Sequence, residues 1–380
     1  MIYLDHNAIT PVRPQAVAAV EASLAAFGNP SSTHAAGRQA RGLLDEAREL
    51  VSRALSVAAR DLVFTSGATE AAALVVRGVL DAAPPGRTGL VVTAVEHPCV
   101  LDLARELAHG GTPVQVVAVD DAGIVDLEAL ANAVSAETAL VCCMLANNET
   151  GVIQPVAEAA RLAHRAGAPL FCDAVQAVGK IGVDLRALGV DAAALTSQKF
   201  GGPRGAGALW VAPGMRLAPQ LGGHQERGRR AGTENLPGIC GMGAALHAAT
   251  MALPEEEKRT RALRDRLEAG LVAAVPGAKV NGASAPRLPG TTSITFPDTD
   301  GEALLMAMDL EGICASAGAA CTSGSTRPSH VLSAMGLSVD EARGTLRLSL
   351  GWTSTEEDVA AALKVVPPLV KRVQEAIRVP

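Results

Sequence analysis

Leu62-Val-Phe-Thr-Ser-Gly-Ala-Thr-Glu70 runs from a short apolar segment through a Ser-Gly turn into a helix-forming stretch. A buried strand that feeds a helix through a glycine turn is the repeating unit of an α/β sheet. The same alternation continues outward. Apolar runs at 89–95, 114–119, 139–145, 169–172 and 192–196 read as buried strands, with helix-length segments such as 101–109 and 156–166 between them. Strands that are apolar throughout are covered on both faces, so the pattern predicts a mainly parallel sheet with helices on each side. Gly205-Ala-Gly-Ala-Leu-Trp-Val211 reads as one more strand and is a candidate for the antiparallel direction.

Beyond the Gly-rich segment 222–241 a long amphipathic helix is expected from about residue 244 to 275. Pro286-Arg-Leu-Pro-Gly290 marks a loop, followed by short strands at 292–296 and 346–350. Helices are expected at 301–310, 355–366 and, past Pro367-Pro368, 369–377. This part reads as a smaller α+β domain. The expected division is a large domain over 12–250, and a small one made of 1–11 and 251–380 that carries the loop of Cys321.

At 380 residues the chain can bury two cores, and with 48% apolar but 2% aromatic residues those cores must be aliphatic and tightly packed. A net charge of −6, without a basic cluster, argues against nucleic acid as a partner. The seven cysteines are scattered and lack a Cys-x-x-Cys pair, which favours neither a disulfide framework nor a zinc site. The N-terminus has no basic segment leading into an apolar one, and no apolar run in the sequence suggests a membrane span. A reducing cytoplasm is the expected location.

The chemistry lies at the ends of the predicted strands. The turn Ser66-Gly-Ala-Thr69 opens a helix, where free N–H groups bind an anion and Thr69 adds a hydroxyl; an ordinary helix cap is the bland alternative. Asp173 and Gln176 follow one strand, and Lys199 follows the next. Ligands of open α/β sheets bind outside such carboxyl ends. A lysine amine, a strand-end carboxylate and a phosphate turn are together what pyridoxal phosphate (PLP) requires: an imine, a partner for the ring nitrogen and a phosphate cradle. His97 can stack on a planar ring or move a proton, or be a loop histidine. Asn148 can reach the same crevice, and Arg347 lies in an otherwise apolar strand. It suits a carboxylate substrate or a structural salt bridge. Cys321 lies in Ser316-Ala-Gly-Ala-Ala-Cys-Thr-Ser-Gly-Ser325, a small-residue loop unlike a packed core, and is a candidate sulfur nucleophile.

These motifs resemble the cysteine desulfurases that supply sulfur for nitrogenase and iron–sulfur clusters, within the class V aminotransferase superfamily. The resemblance rests on Tyr3-Leu-Asp-His-Asn-Ala8, Gly28-Asn-Pro-Ser-Ser-Thr-His34, Thr65-Ser-Gly-Ala-Thr-Glu70, Glu96-His97, Asn147-Asn-Glu-Thr-Gly151, Asp173-Ala-Val-Gln176, Lys199, the segment 222–235 and the Cys321 loop. It implies PLP fold type I, with a sheet of seven-stranded type. It implies that Lys199 holds PLP and moves the substrate α-proton, and that His97 stacks on the ring and shares in proton transfer. Asp173 would face the ring nitrogen and Gln176 the phenolic oxygen. Ala68, Thr69, Thr196 and Gln198 would hold the phosphate, joined by Thr233 of the partner subunit in a homodimer. Asn148 belongs to the cofactor shell and, with Arg347, would hold the carboxylate of L-cysteine. Cys321 would take the sulfur as a persulfide, leaving alanine, and pass it to an acceptor or scaffold protein; a role as transient iron–sulfur ligand is a further implication. Two positions depart from the family pattern, Gln198 where histidine is usual and Ile9 where threonine is usual. The runner-up activity is a selenocysteine lyase or other C–S lyase of the same fold.

Overall fold

The computed structural model describes residues 1–317 and 328–378. Its largest element is a seven-stranded sheet with the spatial order Leu62–Thr65, Gly207–Val211, Ala192–Thr196, Leu170–Asp173, Thr138–Cys142, Gly89–Thr93 and Val114–Val117. Gly207–Val211 is antiparallel to both of its neighbours, and the remaining pairings are parallel. The side-chain period of two is visible in the packing. Leu62, Phe64, Val91 and Val141 enter the core on one face, whereas Val63, Leu90, Val92 and Leu140 enter the core on the other. Helices Ala35–Ala54 and Val156–Arg165 cover the first face, and helices Ala68–Ala82 and Pro98–His109 cover the second.

A separate hydrophobic core is built on a four-stranded antiparallel sheet, ordered Ser316–Ala317, Thr345–Ser349, Thr291–Thr295 and Lys279–Val280. Ile294, Phe296, Leu346 and Leu348 pack there against Leu304, Met308, Val359 and Val366. The chain start joins this core: Ile2–Tyr3 pairs in parallel with Ile313–Cys314, and Leu4 is fully buried.

Two expectations about helices change. The long helix is Leu236–Ala274 and begins inside the Gly-rich segment rather than near residue 244. Asn235 accepts from the Gly238 N–H as N-cap, and Pro237 suits the first turn because no hydrogen bond is needed there. Its first half buries Ile239, Met242 and Leu246 under the large sheet, and Leu263, Leu267 and Leu271 belong to the smaller core beyond Pro254. By length and composition this helix passes for a membrane span, but 56% of its most apolar window is buried inside the protein. The second change is at Pro367-Pro368, where a break was expected. Helix Glu356–Arg378 runs straight through both prolines. Each proline costs roughly 3 kcal/mol in a helix interior. Burial of Val359, Val366, Leu369, Val370 and Val373 on one face, at about 1.5–3 kcal/mol each, outweighs that cost.

Candidate active site

A cavity of about 460 Å³ lies at the carboxyl ends of the parallel strands. The N-terminal strap Asn7-Ala-Ile9 and Arg347 of the small sheet complete its wall. The strap is placed by a bridge between Asp5 and Ser349 and by the Thr10 N–H, which donates to the Gln198 carbonyl at 3.1 Å.

One end of the cavity suits an anion. Helix Ala68–Ala82 has Gly67 as its N-cap, so no side chain occupies the N–H groups of its first turn. Ser66 is not a cap: its own N–H donates to Glu70 Oε2 at 2.8 Å, and Glu70 is held by Arg230 at 2.6 Å. Ala68, Thr69, Thr196 and Gln198 all line this end, and Thr196 Oγ1 donates to Gln198 Oε1 at 2.7 Å. Thr233 is exposed, in the segment before the long helix, and does not line this cavity.

The centre holds Asp173, Gln176, His97 and Lys199. Asp173 ends its strand fully enclosed, with Oδ1 accepting from the Val175 N–H at 3.0 Å. Burial raises its proton affinity, and the nearby His97 and Lys199 charges oppose that rise. His97 caps helix Pro98–His109: its Nδ1 accepts from the Cys99 N–H at 3.2 Å, which leaves the ring hydrogen of the neutral form on Nε2. Burial lowers its affinity for a second proton. Lys199 ends a single 3₁₀ turn, Ser197–Lys199, immediately after strand Ala192–Thr196. Its Nζ donates to the carbonyl oxygens of Asn7 at 2.6 Å and Ala8 at 2.8 Å. The next turn requires glycine, since Gly201 has φ +89° and a Cβ at Gly202 would meet Ser197 Oγ at 2.0 Å.

At the other end Arg347 is buried and bonds Asp5 Oδ1 at 2.7 Å and the Asn148 carbonyl at 3.2 Å. The salt bridge weighed as the alternative for Arg347 is therefore present, yet Arg347 also lines the cavity, and its buried Nε has no partner among the described residues. Asn148 lines the same wall. Cys321 lies outside the described residues.

Sequence reasoning passed over several groups. Asn7 and Cys99 line the cavity, and Lys180 bonds Gln176 and Asn7 from behind it. Glu96 is fully buried, with Oε1 accepting from the Thr93 hydroxyl at 2.7 Å and the Met144 N–H at 2.6 Å, and burial pushes its carboxyl up to about 8. Glu149 accepts from the Ser329 hydroxyl at 2.5 Å and is pushed up to about 7 by burial. Cys99 is pushed up to about 12, first by burial, so its thiol stays protonated. A signal existed for Lys180, four residues after Gln176 in an otherwise apolar stretch, and for Glu96, directly before His97.

The arrangement fits a flat, cationic ring bearing a phosphate. It has uncapped helix N–H groups with hydroxyls at one end, an enclosed carboxylate at the centre, and an amine within the same cavity.

Residues 2–362 match the class-V aminotransferase family. The chain is 45% identical over 377 residues to a cysteine desulfurase of Cereibacter sphaeroides, covering 98% of this chain and 96% of that protein. It is 43% identical to the cysteine desulfurase NifS of Azotobacter vinelandii, covering 98% and 93%. Among solved structures, a NifS-like protein superposes with a TM-score of 0.91 at 35% identity, covering 98% of this chain and 99% of that one. The structure of SspA in complex with cysteine gives 0.82 at 30%, covering 93% and 100%. With the family match spanning nearly the whole chain, and full-length relatives far above 30% identity, this protein belongs to the class-V aminotransferase family.

Proposed function

We propose that this protein is a PLP-dependent cysteine desulfurase, which converts L-cysteine to L-alanine and holds the sulfur as a persulfide on Cys321. The observation that carries the reading is the meeting of Lys199, Asp173 and the uncapped helix start at Gly67 in one cavity. PLP, when bound, supplies an electron sink for a carbanion at the substrate α-carbon. Ala68, Thr69, Thr196 and Gln198 would hold its phosphate, Asp173 its ring nitrogen and Gln176 its phenolic oxygen.

Arg347 and Asn148 orient the cysteine carboxylate, and the burial of Arg347 strengthens that contact by excluding water. Lys199 Nζ takes the α-proton, and His97 Nε2 stands in the same cavity to hold or return a proton. The Cys321 thiolate then attacks the substrate sulfur. A sulfur–sulfur bond forms as the carbon–sulfur bond breaks, the electron pair stays with the β-carbon, and protonation of the β-carbon together with return of a proton to the α-carbon gives alanine.

The proposal extends to a homodimer in which the partner subunit's Thr233 completes the phosphate site, and to transfer of sulfur to an acceptor or scaffold protein in the cytoplasm. It also keeps the two-domain division, 12–250 against 1–11 with 251–380. The test is incubation of the purified protein with L-cysteine and a reductant, with alanine and sulfide measured together. Equal amounts of both support the reading. Pyruvate and ammonia instead of alanine would reject it.

A further inference from the structure

We propose that Lys180 is a positioning residue that fixes the hydrogen-bonding sense of Gln176 and Asn7, and so makes Gln176 an obligate donor toward the cofactor cavity. Its Nζ donates to Gln176 Oε1 at 2.6 Å and to Asn7 Oδ1 at 2.8 Å. With both amide oxygens occupied, both amide nitrogens must donate elsewhere. Asn7 Nδ2 donates to the Asn148 carbonyl at 3.1 Å and to Thr291 Oγ1 at 3.0 Å. Gln176 Nε2 donates one hydrogen to the Asn7 carbonyl at 3.0 Å, the same oxygen that Lys199 Nζ contacts at 2.6 Å. A flipped Gln176 would set its own oxygen against that carbonyl and its nitrogen against Lys180.

The second hydrogen on Gln176 Nε2 is then left for an acceptor in the cavity that this residue lines. An anionic oxygen on the cofactor ring is such an acceptor, so the inference rests on the PLP reading above. Asn7 has a matching role. Through it the same lysine also fixes the strap whose carbonyl oxygens hold Lys199, and the loop carbonyl that holds Arg347. Burial, then the charges of Lys199 and Arg347, disfavour the ammonium form of Lys180. The neutral amine keeps two N–H donors, enough for both amide oxygens, so the arrangement survives loss of that proton.

The experiment is a double-mutant cycle on the full-length protein using Lys180→Met, Gln176→Ala and the double variant. The dissociation constant for PLP and the pH midpoint of the bound cofactor's visible absorbance are measured for each. Lys180→Met is expected to weaken PLP binding about tenfold. It should also move the midpoint in the same direction as Gln176→Ala, and the double variant should lose clearly less than the product of the two single losses, the remainder being the part Lys180 exerts through Asn7. Unchanged binding in Lys180→Met, or losses that simply multiply in the double variant, would overturn the inference. If Lys180→Met does not fold, Lys180→Leu, which also lacks a donor, enters the same cycle under the same criteria. Wild-type protein that takes up no PLP would reject the functional reading, and this inference with it. Wild-type binding with a multiplicative cycle would reject this inference alone.

Discussion

Asp5 and Arg347 form a 2.7 Å ion pair that links the N-terminal strap to the cavity wall, although 342 positions separate them in sequence. The arginine side chain is only 3% exposed, so Asp5 compensates a buried charge. Removing one member of a buried pair typically costs about 3–5 kcal/mol because the other charge is left uncompensated. Asp5→Asn should therefore lower stability in urea unfolding by about 2–4 kcal/mol, the pair being slightly open to solvent on the aspartate side. Arg347→Lys should keep most of the stability and raise the KM for cysteine at least tenfold, because an ammonium cannot make the forked contact. Equal KM values for Arg347→Lys and wild type would remove Arg347 from the substrate site.

Lys199 Nζ donates to two backbone carbonyl oxygens of the N-terminal strap, Asn7 at 2.6 Å and Ala8 at 2.8 Å. Lys199→Ala should leave the fold intact, since Gln176 Nε2 still donates to the Asn7 carbonyl. Turnover should fall by about 10²–10⁴-fold from loss of proton transfer alone. Circular dichroism checks the first expectation, and alanine release from L-cysteine the second. Borohydride treatment of the wild-type holoenzyme should attach the cofactor to the peptide containing Lys199, and the variant should show no such attachment.

A pH effect follows from Glu149, whose carboxyl is pushed up to about 7. An acid with a raised native pKa binds its proton more tightly folded than unfolded. Its contribution is fully present below the ordinary glutamate value, and is lost as pH rises toward and through 7. Glu149→Gln keeps an oxygen for the Ser329 hydroxyl and removes the titration. The variant should match wild type near pH 5 and become more stable than wild type by on the order of 2–3 kcal/mol at pH 8. Parallel melting curves across that range would show that Glu149 does not titrate as described.

The large sheet was legible because its strands, apart from the edge strand Val114–Val117 where Gln115 and Val116 are exposed, are buried on both faces, so runs such as Leu90-Val-Val92 and Ala139-Leu-Val141 stand out without an amphipathic partner pattern. Asp173, Thr196 and Lys199 were legible for a related reason, since strand ends in such a sheet converge on one crevice. Asn7 was not. Its importance comes from contacts to Asn148, Lys180 and Thr291, which only tertiary closure of the strap brings near. Helix Glu356–Arg378 misled in the opposite way. Local proline chemistry predicts a break, and burial along one face overrides it.

Cys321 has the clearest claim to carry sulfur, from its sequence setting and from the burial of Cys99, Cys142, Cys143, Cys172 and Cys240. Cys142, Cys143 and Cys172 are fully buried, and burial raises their thiols well above the ordinary range. Cys99 lines the cavity but is pushed up to about 12, and Cys240 to about 11, so neither offers a thiolate near neutral pH. Cys321 is flanked by Gly, Ala, Ser and Thr, with no aliphatic neighbour to pull it into a core. Cys321→Ser should bind PLP and cysteine as wild type does, because no residue of the cofactor shell is altered. It should form no persulfide, and alanine release should drop by at least about 10²-fold, since a hydroxyl is a poor acceptor of sulfur. Mass spectrometry of the protein after exposure to cysteine reads the persulfide as one added sulfur atom on the wild type. Alanine released at the wild-type rate by Cys321→Ser would shift the assignment to a lyase that needs no enzyme thiol.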